Sequence, residues 1–322
     1  MQCFITVYIT IFHSLDGLFM KRIILTGGTG FLGSHLLARL TDFEVVVLTR
    51  SPASYTSYSA RVTYRFWSGK ESITSLLEGA YAVINLAGEN IGLKPWTKRQ
   101  RERIILSRTL AAETIKSSIE SCIIPPRVWI QASATGFYGR SKGNSFFDES
   151  SPKGEGSFLA AVCEQWEKPI RELEHPVVRT VIIRTGVVLS PDALFMKQLT
   201  LPFLFRVAVV LGDGKNYLPW ISLTDELRAL HFLLVNDYCR GTYNLVAPTP
   251  VTMGAIVSCL KEYRSSWFTF HVPTCFIRSL FGKAKSEELI LANQLVKPSR
   301  LLQEGFSFRW STLESFIKNL SV

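Results

Sequence analysis

Paired cysteines and clustered histidines are what this sequence most plainly lacks. Its six cysteines (Cys3, Cys122, Cys163, Cys239, Cys259 and Cys275) stand far apart, with no C-x-x-C pair and no histidine at metal-ligand spacing. That excludes a recognisable zinc site or dithiol redox motif, so no metal is expected and the thiols are read as free in a reducing cytoplasm. A secretory signal is missing too. Residues 1–19 are apolar, but no basic segment opens them, His13, Ser14 and Asp16 interrupt them, and they are too short to span a bilayer. The working fold is therefore expected to start at Met20, with 1–19 an appendage or a misplaced start. A loose membrane-surface anchor is the alternative, although the segment has no basic polar face. Repeats, low-complexity tracts and nucleic-acid-binding motifs are absent. The formal charge of +10 is scattered except around 94–108. It suits a small phosphorylated ligand, with neither nucleic acid nor stable membrane insertion expected.

What is present is enough apolar sequence, 47% of 322 residues against 19% charged, to bury one elaborate domain or two modest ones. Short Ile/Val-rich runs at 22–25, 44–48, 62–66, 82–86, 128–131 and 178–183 alternate with stretches of three- and four-residue apolar spacing at 34–40, 73–77, 97–119 and 158–173. This is the pattern of βα units around a buried parallel sheet. It predicts an α/β fold, a Rossmann doubly wound parallel sheet over 20–189 with a smaller C-terminal substrate region over 190–322. There the alternation fails at Pro191, Pro202, Gly212, Gly214, Pro219, Pro248 and Pro250. Part of that region, about 216–247 with a helix at 225–235, is expected to return to the first domain, and a last helix near 311–320 to close the fold. Nothing in the composition decides whether the chain self-associates.

The first strand runs into Thr26, Gly27, Gly28, Thr29, Gly30, Phe31, Leu32 and Gly33 before a helix begins. In that context, Gly28 and Gly30 are expected to allow a tight turn with close approach of a pyrophosphate, and Gly33 to let the helix pack on the strand and present its first amides. An ordinary strand-to-helix turn would not require three glycines at this spacing. Ser34 follows Gly33 where a Walker A loop needs lysine, which disfavours triphosphate hydrolysis.

At the end of the second strand, where a carboxylate would hold the adenosine ribose hydroxyls, the chain reads Val47, Leu48, Thr49, Arg50, Ser51. Arg50 can pair with a 2′-phosphate, so NADP is favoured over NAD; a solvated strand-end cation is the alternative. After the fourth strand, the run Leu86, Ala87 and Gly88 is expected to line the cofactor, with Ala87 and Gly88 small enough to lie against the adenine or ribose; a packing turn is the alternative. In the basic run that follows, Arg108 is the residue expected to reach cofactor or substrate phosphate, against the default of a solvated helix face.

With these motifs assembled, the chain resembles the extended short-chain dehydrogenase/reductase superfamily, and within it the atypical NAD(P)-dependent epimerase/dehydratase family, over nearly all of 20–320. The likeness rests on Thr26–Gly33, the run Asn85 to Ile91, the run Ala132 to Gly139, Phe147-Asp148-Glu149, Trp166-Glu167, Arg184 to Leu189, Pro219-Trp220-Ile221, Gly241 to Asn244, Ala247-Pro248 and Gly305 to Phe308. The resemblance implies chemistry through a Tyr-x-x-x-Lys pair with an upstream hydroxyl, in which the lysine lowers the tyrosine pKa. That pair is absent. Counting back from Trp166-Glu167, its positions fall at Leu159 and Cys163, and the upstream hydroxyl position is Ala134. Tyr138 becomes the first candidate for proton transfer, against a packed aromatic, with Ser133 and Thr135 to polarise a carbonyl or orient substrate. Cys163 reads as a buried thiol, Asp148 and Glu149 as loop or cap residues, and Ser222 stands where relatives carry a histidine. Two functions follow: an NADP-binding epimerase- or reductase-like enzyme for a small polar or nucleotide-linked substrate, or a non-catalytic NADP-binding sensor or scaffold.

Overall fold

The computed structural model describes residues 20–55 and 59–320; the segment 1–19 lies outside the described residues. Seven strands form one parallel sheet: β1 (Lys21–Thr26), β2 (Phe43–Thr49), β3 (Val62–Phe66), β4 (Ala82–Asn85), β5 (Val128–Ala134), β6 (Arg179–Thr185) and β7 (Gly241–Leu245). Their spatial order is β7-β6-β5-β4-β1-β2-β3. Because both faces of β1, β4 and β5 are covered, their side chains are buried almost without alternation, as a sheet sandwiched between helices requires. Ile23, Ile24, Val45, Val47, Ile84, Trp129, Ile130, Val181 and Ile183 make the centre of the main core. The order reverses between β1 and β4, so a crevice opens at their carboxyl ends, where ligands of such sheets bind.

The helices that matter for that crevice are α1 (Phe31–Leu37), α2 (Lys98–Glu120), α3 (Phe158–Arg171) and α4 (Leu223–Val235). Side-chain oxygens of Thr97, Ser157 and Ser222 cap the last three, accepting from the amides of Gln100, Ala160 and Asp225. Ser222 is thus fully buried and committed to capping. The first helix starts at Phe31 rather than at residue 34, because Gly30 already takes the extended N-cap conformation. A seventh strand was not expected; β7 carries the Gly241-Thr242-Tyr243-Asn244 run and pairs with β6.

Residues 223–245 pack on the sheet through α4 and β7, and Leu301 and Phe306 also enter the main core. The rest of the C-terminal region has its own core of Met196, Phe203, Val210, Trp220, Met253, Ile256, Leu313 and Phe316. Among the described residues, several contacts fasten it to the sheet's crevice edge. Lys285 Nζ donates to the carbonyls of Gly92 and Lys94 at 2.6 and 3.1 Å. Glu288 Oε2 accepts from Ser157 Oγ and the Leu159 amide, and Gln294 Nε2 donates to the Gly139 carbonyl.

Candidate functional site

The glycine turn is locked by backbone contact. Gly27 has φ +68°, and a Cβ on it would stand 2.6 Å from the Leu86 carbonyl; a Cβ on Gly33 would stand 2.3 Å from the Gly27 oxygen. Gly30 is freer, its nearest neighbour being the Gly27 oxygen at 3.2 Å, and neither Gly28 nor Gly30 has a positive φ. The positive φ falls on Gly27, while Gly28 is kept small by the Val47 and Leu25 side chains, 2.8 and 3.0 Å from where its Cβ would stand. Gly33 keeps the expected role. A side-chain chain below the turn fixes the next loop: Thr26 Oγ1 donates to Asn85 Oδ1 at 2.5 Å, which also accepts the Ala87 amide, while Asn85 Nδ2 donates to Gln131 Oε1 at 2.9 Å. All three polar residues are wholly buried, so the crossing of β1, β4 and β5 is satisfied internally.

Leu86, Ala87 and Gly88 thus pass close beside the turn. Behind Gly88 lies Arg108, whose guanidinium carbon would be 3.0 Å from a Cβ there. Arg108 is 9% exposed and lies 4.7 Å over the Trp166 ring, and its Nη1 donates to the Ile104 carbonyl. Burial lowers its pKa, countered in part by Cys163 and Glu89, and among the described residues no carboxylate comes within ion-pair distance of it. Arg50 is exposed just past β2. Thr26 to Gly33, Leu86 to Gly88 and Arg108 therefore form one wall, with Arg50 at the β2 strand end; Phe31 is partly exposed and Leu32 leans on the main core. An N-cap without a side chain leaves the first amides of α1 without a side-chain partner.

The hydroxyls named for chemistry are placed differently. After β5 the chain makes a tight 3₁₀ turn, Thr135–Tyr138, which carries Tyr138 inward. Tyr138 is 1% exposed, stacks on Phe147 with centroids 5.2 Å apart, and donates to Asn244 Oδ1 at 2.7 Å. Burial pushes its pKa up to about 12; it is a packed aromatic in this structure. Ser133 Oγ donates to Glu167 Oε1 at 2.6 Å and Thr135 Oγ1 to Gln294 Oε1 at 3.3 Å. Leu159 and Cys163 are buried, and burial raises the Cys163 thiol to about 11. Asp148 holds Ser150 and Ser151, and Glu149 accepts the amides of Asn244 and Arg300, both fixing loops.

Residues 23–245 match the family model described as the NAD dependent epimerase/dehydratase family, and 272–320 match a domain of unknown function, DUF1731. The chain belongs to the NAD dependent epimerase/dehydratase family. It is 30% identical over 307 residues to an epimerase family protein of Staphylococcus epidermidis, covering 94% of this chain and 99% of that one. To an epimerase family protein of Mycobacterium bovis it is 31% identical over 294 residues, covering 90% and 94%. Among solved structures, human epimerase family protein SDR39U1 (isoform 2) with NADPH superposes with a TM-score of 0.81 at 26% identity, over 93% of this chain and 99% of that chain. UDP-N-acetylglucosamine 4-epimerase of Methanobrevibacter ruminantium shares the fold, with a TM-score of 0.74 at 17% identity over 94% and 96%.

Two groups beside the site escaped the reading of the sequence. Glu167, fully buried, takes two hydrogen bonds from Arg184, at 2.9 and 2.8 Å. Burial alone would raise its pKa, but Arg184 and Ser133 hold it below the usual carboxylate range. The motifs containing both residues were visible, their pairing was not. Gln294 reaches Thr135 across 159 residues, a distance no local pattern spans.

Proposed function

We propose that this chain is an NADP-binding, epimerase- or reductase-like enzyme of the cytoplasm, acting on a small polar or nucleotide-linked substrate held between the sheet's carboxyl edge and the C-terminal region. The observation that carries the dinucleotide is the interlock of Gly27, Gly33 and Leu86: backbone packed on backbone too closely for a Cβ at Gly27 or Gly33, which sets a bare turn against a helix start with no side-chain cap. Thr26 to Gly33 would hold the diphosphate, Leu86 to Gly88 the adenosine, and Arg108 a ribose or phosphate oxygen, since its buried guanidinium uses one of five N–H donors on Ile104. Arg50 would meet the 2′-phosphate. The human relative solved with NADPH supports this choice, while other solved relatives of the same fold carry NAD. When bound, the nicotinamide supplies reversible hydride transfer. Thr135, just past the carboxyl end of β5 and held by Gln294 through a long 3.3 Å bond, would orient a substrate oxygen if that bond opened.

A specific observation favours a second reading, an NADP-binding sensor or scaffold: Leu159 and Cys163 hold the Tyr-x-x-x-Lys positions, and Tyr138 is sealed by Asn244. Calorimetry of the full chain with NADPH and NADH, followed by absorbance at the nicotinamide band with carbonyl and sugar-nucleotide panels, separates the readings. Turnover supports the enzyme; tight NADPH binding without turnover supports the sensor. Arg50→Asp is expected to weaken NADPH at least about 10-fold, from the lost charge-assisted contact, and to leave NADH nearly unchanged. An unaltered preference would show the NADP assignment to be wrong.

A further inference from the structure

Beyond Gly88, two cations converge on one carboxylate. The Glu89 side chain is 18% exposed, with Arg103 Nη2 from α2 at 3.4 Å and Lys94 Nζ at 3.7 Å from its Oε1. Gln100 Nε2 donates to the same oxygen at 3.4 Å. Burial alone would raise the Glu89 pKa; the Gln100 hydrogen bond and the charges of Arg103, Lys94 and Arg50 outweigh it and hold the carboxyl below its usual range. Arg50 is thus an electrostatic neighbour of the cluster, and among the described residues no carboxylate stands within ion-pair distance of it. Two positive charges within ion-pair distance of one negative, with Arg50 acting from farther off, leave the neighbourhood net positive. Cations gathered in this way repel one another unless an anion of similar charge settles among them.

We propose that Arg103, reaching in from α2, is a second determinant of dinucleotide choice that shares the adenosine 2′-phosphate with Arg50, while Glu89 holds Arg103 in place until that phosphate takes over. The inference rests on the NADP reading above. The 2′-phosphate is the part of NADP that NAD lacks, and it carries about two negative charges near neutral pH, as phosphate monoesters do. Arg103 suits it better than Lys94 does: it is carried by a 23-residue helix rather than a loop, and its planar fork matches phosphate oxygens. Gln100 and Ser107, one helical turn to either side, already fasten this face of α2 to Glu89 through its side chain and its amide.

The test needs no turnover. The full chain is titrated calorimetrically with 2′,5′-ADP and with ADP, so that the ratio of their Kd values reports the 2′-phosphate alone. Arg103→Gln is expected to weaken 2′,5′-ADP by about 5-fold while ADP changes by less than about 2-fold, the scale of one partly exposed charge-assisted contact. Arg103→Lys should recover part of the loss, and Glu89→Gln should tighten 2′,5′-ADP by removing the competing carboxylate. Arg50→Gln runs alongside. If Arg103→Gln leaves the ratio unchanged while Arg50→Gln collapses it, the role given to Arg103 is wrong and the NADP reading stands. Should neither variant move the ratio, both fall. Equal weakening of the two fragments would assign Arg103 to the adenine or the diphosphate and would also overturn the proposal.

Discussion

Glu226 sits on α4 directly against the end of β6, completely buried. Thr185 Oγ1 donates to its Oε1 at 2.8 Å, while Oε2 has no partner. Burial pushes its pKa up to about 8, against a lowering contribution from Thr185. A carboxyl raised in this way is protonated in the folded chain and ionised in the unfolded chain over the whole interval between the two pKa values. Its contribution to stability is therefore intact below about pH 4.5, declines as pH rises, and is fully lost above about pH 8. At roughly 1.4 kcal/mol per pH unit, the span from pH 5.5 to 7.5 corresponds to about 3 kcal/mol, a visible fraction of a typical folding free energy. Glu226→Gln keeps an acceptor for Thr185 and removes the titration. Chemical denaturation of both proteins at pH 5.5, 6.5 and 7.5 should show the variant gaining on the parent by about 3 kcal/mol across the series, with m-values unchanged. Parallel stability curves for the two proteins would refute the argument, because they would mean that Glu226 binds protons equally in both states.

Two further outcomes follow from the site. Gly33→Ala would place a Cβ 2.3 Å from the Gly27 oxygen, with backbone on both sides, whereas Gly30→Ala meets its nearest neighbour at 3.2 Å; the first should lower the melting temperature and abolish NADPH binding, and the second should be mild in both measurements. Tyr138→Phe removes one hydrogen bond to Asn244 and should cost about 1 kcal/mol in stability, leaving any turnover on the carbonyl panel within about 2-fold, as expected for a residue that packs rather than transfers protons.

The fold was legible wherever physics is local. The buried runs of β1, β4 and β5 declare a covered parallel sheet, and the glycine-rich passage into α1 declares a turn. Which glycine bears the strain was not legible, because Gly27 is constrained by Leu86, which follows it by 59 residues. For the same reason β7 went uncounted: Gly241–Leu245 is five residues long and owes its place to pairing with β6. The candidate site divides similarly. Arg50 and Leu86 to Gly88 lie at strand ends whose location follows from topology alone. Tyr138 is the proton-transfer candidate on its motif alone, but the Thr135–Tyr138 turn and the Asn244 side chain carry it inside.

The position of β7 also has a consequence for synthesis. Residues 1–235 encode six of the seven sheet strands, yet β6 has no neighbour on its outer side until Gly241–Leu245 has been made, and Leu301 and Phe306 must arrive before the main core is complete. A nascent chain halted after α4 therefore presents a naked, apolar strand edge to its surroundings. Truncation before Gly241–Leu245 should therefore yield a fragment more prone to aggregate than the full chain, with that strand edge left open.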